Sequence, residues 1–134
     1  MDPNTYRVFN SNLQCPKLKT RELRTTLLEL NGVIIAGGND VYTTNHVLTF
    51  SELSLSTYSS FCGTLTCFLS TLTGDENHVV MSVLNKTLTV NNITPYQLVG
   101  TIASVTVSSS STQYTITTGI DTNLKWTFIG SGTL

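Results

Sequence analysis

The chain has 134 residues, a net charge of -1 and a charged fraction of 11%, less than half of the roughly 25% of an average soluble domain. That balance excludes a general electrostatic attraction to nucleic acid or to an anionic membrane. With 40% hydrophobic residues, the length suits one domain around one core.

Polarity comes from neutral groups instead: 24 Thr, 14 Ser and 11 Asn. Thr is β-branched and favours strands with one wet and one dry face. A hydroxyl-rich, charge-poor surface has little self-repulsion and suits a protein packed against neighbours; it equally suits an ordinary β domain with a Thr-rich exposed face. Residues 1–30 hold Arg7, Lys17, Lys19, Arg21 and Arg24 against Asp2, Glu22 and Glu29, a balance of +2, and the remainder balances at -3.

Residues 1–20 read as an irregular arm, broken by Pro3, Pro16 and Asn10-Ser11-Asn12, and 21–134 as one β-sandwich domain. Over 21–36 two patterns compete. Leu23, Leu27 and Leu30 fall at helical spacing, whereas Asn31-Gly32 between Leu28/Leu30 and Val33-Ile34-Ile35 predicts a hairpin with a type I′ turn, the preferred reading. Gly37-Gly38-Asn39-Asp40 reads as a turn. Val47–Leu55 reads as a strand that switches face at Ser51-Glu52, as at a bulge. Phe61–Leu69 alternates, with Phe61, Gly63, Leu65, Cys67 and Leu69 on one face. After a turn at Gly74–Asn77, Val79, Met81 and Val83 form the next apolar row, followed by Leu88/Val90. Asn91-Asn92 and Pro95 break the chain. Tyr96–Val107 reads as a long strand bent at Gly100. Tyr114/Ile116 and Leu124/Trp126/Phe128 close the sequence as two strands. About eight short strands with turns every 8–12 residues predict an all-β antiparallel sandwich, with a jelly roll as its expected form.

Little material for chemistry is visible. A Ser or Cys nucleophile needs a histidine base held by a third group, and the only histidines, His46 and His78, sit in no recognisable motif. Cys62 and Cys67 lie five apart in one strand, so they face opposite sides and cannot bond to each other; they read as reduced, largely buried small hydrophobes, and with Cys15 remote they make no zinc cluster. Asp75, Glu76 and Asn77 could offer oxygens to calcium, but read as a hairpin tip. Trp126 alternates with Leu124 and Phe128 and reads as core rather than as a sugar platform. Asn85-Lys86-Thr87 and Asn92-Ile93-Thr94 match a glycosylation pattern that chance supplies in so Asn- and Thr-rich a chain. The expectation is no enzyme, no catalytic, cofactor or metal residues, and no cofactor. The start, Met1–Arg7, lacks an apolar signal region, and no apolar run reaches the roughly 18–20 residues of a membrane span.

Two stretches resemble viral proteins. Lys17–Ile35, with Leu28-x-x-Asn31-Gly32-Val33, resembles the lead-in from shaft to head in viral and phage fibre proteins. Leu124–Gly132 is similar to the final core strand of small viral β heads and single jelly-roll capsid subunits. Together they cover 28 of the 134 residues. The resemblance implies a virion component (fibre head, penton, cement or minor capsid protein), and the missing signal region adds the expectation that it is made in a host cytoplasm. It also implies self-association as a trimer or pentamer; the basic N-terminal segment adds the expectation of an arm that contacts other capsid proteins, and charge and hydropathy add those of no specific nucleic-acid binding and no membrane span. The alternative is a β-sandwich module that binds a host glycan or receptor.

Overall fold

The computed structural model describes residues 27–87, 91–110 and 113–134. The expected arm (1–20), Cys15, residues 21–26 and Leu88/Val90 lie outside the described residues.

The described chain is all-β and antiparallel, with seven strands: β1 (Leu27–Leu30), β2 (Val33–Thr49), β3 (Ser60–Ser70), β4 (Asn77–Lys86), β5 (Asn91–Gly100), β6 (Thr106–Ser109) and β7 (Gln113–Thr133). Their order is β1-β2-β7-β3-β4-β5, with β6 also on β7. The hairpin over β1 and β2 forms as expected, with Leu30 opposite Val33. Asn31 and Gly32 both take positive φ, 52° and 80°, as a type I′ turn requires.

The two longest strands, β2 and β7, pair along almost their whole length, from Val33↔Ser131 to Thr49↔Gln113, with register shifts around Thr43. Beyond that irregularity the partners change. The second half of β7 lies between β2 and β3, while its first half takes β6 as its other neighbour. One sheet thus serves two layers, and a single hydrophobic cluster fills the space between them, from Ile34, Leu65, Leu69, Val80 and Leu84 to Leu48, Ile102, Tyr114 and Ile116. Each fully buried Leu or Ile there contributes about 1.5–3 kcal/mol relative to exposure. Phe61 stands edge-on to Phe50 and Phe128, at centroid distances of 5.3 and 5.8 Å. The Phe128 ring needs room above Gly63 and Gly130: a Cβ on Gly63 would come within 2.6 Å of that ring and 2.4 Å of the Ile129 carbonyl.

Several sequence expectations need correction. Gly37–Asp40 is no turn but the middle of β2, its backbone paired to Lys125–Thr127 and Leu124 of β7. The Val47–Leu55 strand stops at Thr49. There the Thr49 amide donates to the Glu52 carboxylate and the Glu52 amide to the Thr49 hydroxyl, a local cap that turns the chain and drives Leu53 and Leu55 into the core from a loop. The buried row of β4 is His78, Val80, Ser82 and Leu84, not Val79, Met81 and Val83. With apolar residues on both faces, period alone could not choose between them. Asn91–Pro95 does not break the chain. It belongs to β5, which ends the strand order and tolerates Pro95 because Tyr96 is bulged out between Ser82↔Pro95 and Met81↔Gln97. The expected long strand stops at Gly100, and the two closing strands are one, β7.

Candidate functional site

Three places combine residues in ways with chemical meaning. The first lies at the irregularity of the β2–β7 ladder. The register shift there brings Asp40 back beside His46: Nδ1 of the ring is 2.9 Å from Oδ2 of Asp40. On the other side, Nε2 is 2.9 Å from the Thr122 hydroxyl. A carboxylate only accepts, so Nδ1–H donates to Asp40, and in the neutral ring Nε2 accepts from Thr122. The order hydroxyl–imidazole–carboxylate matches that of a hydrolase triad. Burial sets the two apart. His46 and Thr122 are wholly buried, so a substrate could reach the Thr122 oxygen only if β2 and β7 separated. The Thr118 hydroxyl, 3.4 Å from that of Thr122, donates to the Ile120 carbonyl at 2.7 Å. The network satisfies polar groups where two strands depart from regular pairing. The sequence gives no local sign of it, because Gly37–Asp40 has the residues of a turn and Thr122 lies 76 residues from His46.

His78 is the opposite case. It is buried at the start of β4, and neither ring nitrogen has a hydrogen-bond partner among the described residues. The two histidines are therefore not brought into one site. Nor do Cys62 and Cys67 meet: both are free thiols on opposite faces, as expected from their spacing, but only Cys67 is buried, and the expected burial of Cys62 is corrected, because its face of β3 is the outer one. Burial pushes the Cys67 thiol up to about 12. Tyr58 is likewise raised to about 12 by burial and by its hydroxyl's donation to the Glu29 carboxylate at 3.1 Å. Asp75 and Glu76 sit in the β3–β4 turn. Among the described residues no three His, Cys, Asp or Glu side chains gather to hold a metal. Trp126 is 5% exposed and belongs to the core.

The second place is an open groove of about 460 Å³ at the end of the sheet, where the β1–β2 turn meets the ends of β3, β4 and β7. Amides and hydroxyls, among them Asn31, Ser60, Asn85 and Ser131, line it together with Phe61 and Lys86. The ammonium of Lys86 donates to the Tyr58 carbonyl at 3.2 Å and sits 5.7 Å from the Phe50 ring centroid.

The third is the outer face of the sheet. Residues directly opposite one another share a face, and register fixes the rows. One row runs Leu28–Ile35–Ile129–Thr64–Val83–Thr94, and another Asn39–Lys125–Phe68–Val79–Val99. Between them runs Gly37–Thr127–Thr66–Met81–Gln97, and beyond them Leu30–Val33–Ser131–Cys62–Asn85–Asn92. Large apolar side chains here are open to water: Ile129 is 55% exposed, Val99 57%, Leu30 59% and Phe68 41%. In these four rows Lys125 is the one charged residue and there is no carboxylate. Among the described residues no helix is long and apolar enough to cross a membrane.

No protein-family model matches the chain, and no curated protein does. Among solved structures, the tailspike protein of Acinetobacter phage vB_ApiP_P1 superposes with a TM-score of 0.46 at 13% identity, covering 98% of this chain and 26% of the tailspike chain.

Proposed function

We propose that this chain is a structural subunit of a viral particle, not an enzyme, and that it works by burying surface against other proteins of the particle. The observation that carries the reading is the outer face of the sheet, whose four rows set exposed apolar side chains among hydroxyls and amides and hold a single charge. A soluble monomer rarely keeps so large an apolar face in water, and faces of this kind mark protein interfaces. The Thr- and Ser-rich composition supports the same reading, as does the resemblance of Lys17–Ile35 and Leu124–Gly132 to fibre and capsid proteins. In this reading the arm 1–20 contacts other capsid proteins, and the buried Asp40–His46–Thr122 network holds the strands rather than cleaving a substrate. Mass spectrometry of gradient-purified particles from the source of the gene tests it. The chain should be present at a constant copy ratio to the major particle protein, and its absence from particles would overturn the reading.

A second reading, a glycan- or receptor-binding module, is favoured by one observation: the groove lined by Asn31, Ser60, Asn85 and Ser131 offers the amides and hydroxyls that sugar hydroxyls pair with. A glycan array with Asn85→Ala as control tests this reading. Binding lost in the variant supports it, and no binding across the array removes it.

A further inference from the structure

We infer that the outer face of the sheet is a homotypic interface, covered by a second copy of this chain packed sheet against sheet. The inference rests on the assembly reading above and adds the surface and the partner.

Charge decides between occupants. Residues 1–26 hold five basic groups against Asp2 and Glu22, a balance of +3. The outer rows carry one cation, Lys125, and no carboxylate. They therefore offer the basic N-terminal segment of the chain nothing to pair with, and would place it beside a like charge. A strongly charged foreign partner would leave its charges desolvated against Val83, Ile129 and Phe68. A second copy brings the same face, with Lys125 as its single charge and no carboxylate, and homodimer interfaces are the more apolar class, depleted of charge at their centre.

Geometry agrees. Two sheets stack about 10 Å apart with their strands within about 30° of each other, an arrangement that needs pleated faces of similar side-chain height. A sheet face opposed to its own copy meets that condition. Six adjacent strands at about 4.8 Å and four rows at about 6.8 Å span roughly 24 by 20 Å between outer Cα positions. Side-chain reach widens this to roughly 800 Å², the area each partner gives to a standard-size interface. Lys125 lies in the row nearest the β3–β4 turn, where a long flexible stem can carry its ammonium to the rim.

The test is sedimentation equilibrium of the full chain and of a Val83→Lys/Ile129→Lys variant, with far-UV circular dichroism to verify folding. The wild type is expected to self-associate, and the variant to associate at least about thirtyfold more weakly, the effect of losing one hot-spot residue, with its spectrum unchanged. If the variant fails to fold, Phe68→Lys on the same face replaces it and carries the same expectation. A wild type that associates while a folded variant associates equally well overturns this interface but leaves the assembly reading standing. A wild type that stays monomeric up to about 100 μM, far above the nanomolar constants common among interfaces of this size, overturns the homotypic interface; absence from purified particles is the separate result that overturns the assembly reading.

Discussion

The hydroxyls of Tyr114 and Ser82 meet at 2.7 Å inside the core. Tyr114 belongs to the half of β7 that pairs β6, and Ser82 to β4 in the other layer. The bond therefore adds a polar tie between β4 and the first half of β7, which are not neighbours in the sheet. Burial raises the Tyr114 hydroxyl above its ordinary range, so it stays protonated at neutral pH. Tyr114→Phe is expected to destabilise the protein by about 1–2 kcal/mol, because it leaves the Ser82 hydroxyl buried without this partner. Ser82→Ala should cost less, since Tyr114 also contacts Cys67. Urea denaturation of both single variants and the double variant closes a cycle in which a coupling near zero would refute the tie.

Thr122→Val tests the role given to the Asp40–His46–Thr122 network. Valine preserves the shape but removes the hydroxyl that faces Nε2 of His46, leaving a buried ring nitrogen unsatisfied. The expected loss is about 1–3 kcal/mol, read as a lower urea midpoint with an unchanged slope. A stability equal to the wild type would mean that the network does not hold the irregular stretch of β2 and β7.

Legibility in the sequence followed how local each determinant is. The Asn31-Gly32 turn and the alternation from Phe61 to Leu69 are written in neighbouring residues, and both were readable. So was the opposite facing of Cys62 and Cys67, which needs only the two-residue period of a strand. The core row of β4 was not: Val79, Met81 and Val83 are as apolar as Val80 and Leu84, and only packing against β7 from the other layer selects His78–Leu84 as the inner row. Gly37–Asp40 carried the residues of a turn, yet pairing to β7 on a distant stretch of chain overrode local preference. The Asp40–His46–Thr122 network depends on that same pairing and leaves no local signal. The charge-poor, Thr-rich composition did foreshadow the outer face, although which apolar residues it would expose depended on strand order.

Cys67 predicts a pH dependence. In the unfolded chain its thiol ionises near 9.0, and in the fold only at about 12. A group whose folded pKa is raised contributes stability that is whole below the unfolded value and is lost as pH climbs toward the folded one. The stability difference between wild type and Cys67→Ala should therefore hold steady up to about pH 8 and shrink between pH 9 and 12. Urea midpoints at pH 7, 8, 9 and 10 measure it. A constant difference would mean that the thiol is not protected by burial. Thiol-reactive dye in a Cys15→Ser background gives an independent reading: the exposed Cys62 should label at once and Cys67 only on unfolding.

His78 should be replaceable at a gain. Its ring is buried with neither nitrogen partnered among the described residues, so these elements carry the desolvation of polar atoms without a compensating hydrogen bond. Leucine is apolar and close enough in volume to occupy the same position between Leu69 and Gly100, the residues opposite His78 on β3 and β5. His78→Leu is expected to raise the urea midpoint, by about 1 kcal/mol in stability, whereas His46→Leu, which breaks two hydrogen bonds, should lower it. The contrast separates a histidine that the fold merely accommodates from one that holds it. If His78→Leu instead destabilised the protein as much as His46→Leu, His78 would have to be making an interaction in solution that leaves its nitrogens satisfied, and the start of β4 would become a binding position in its own right.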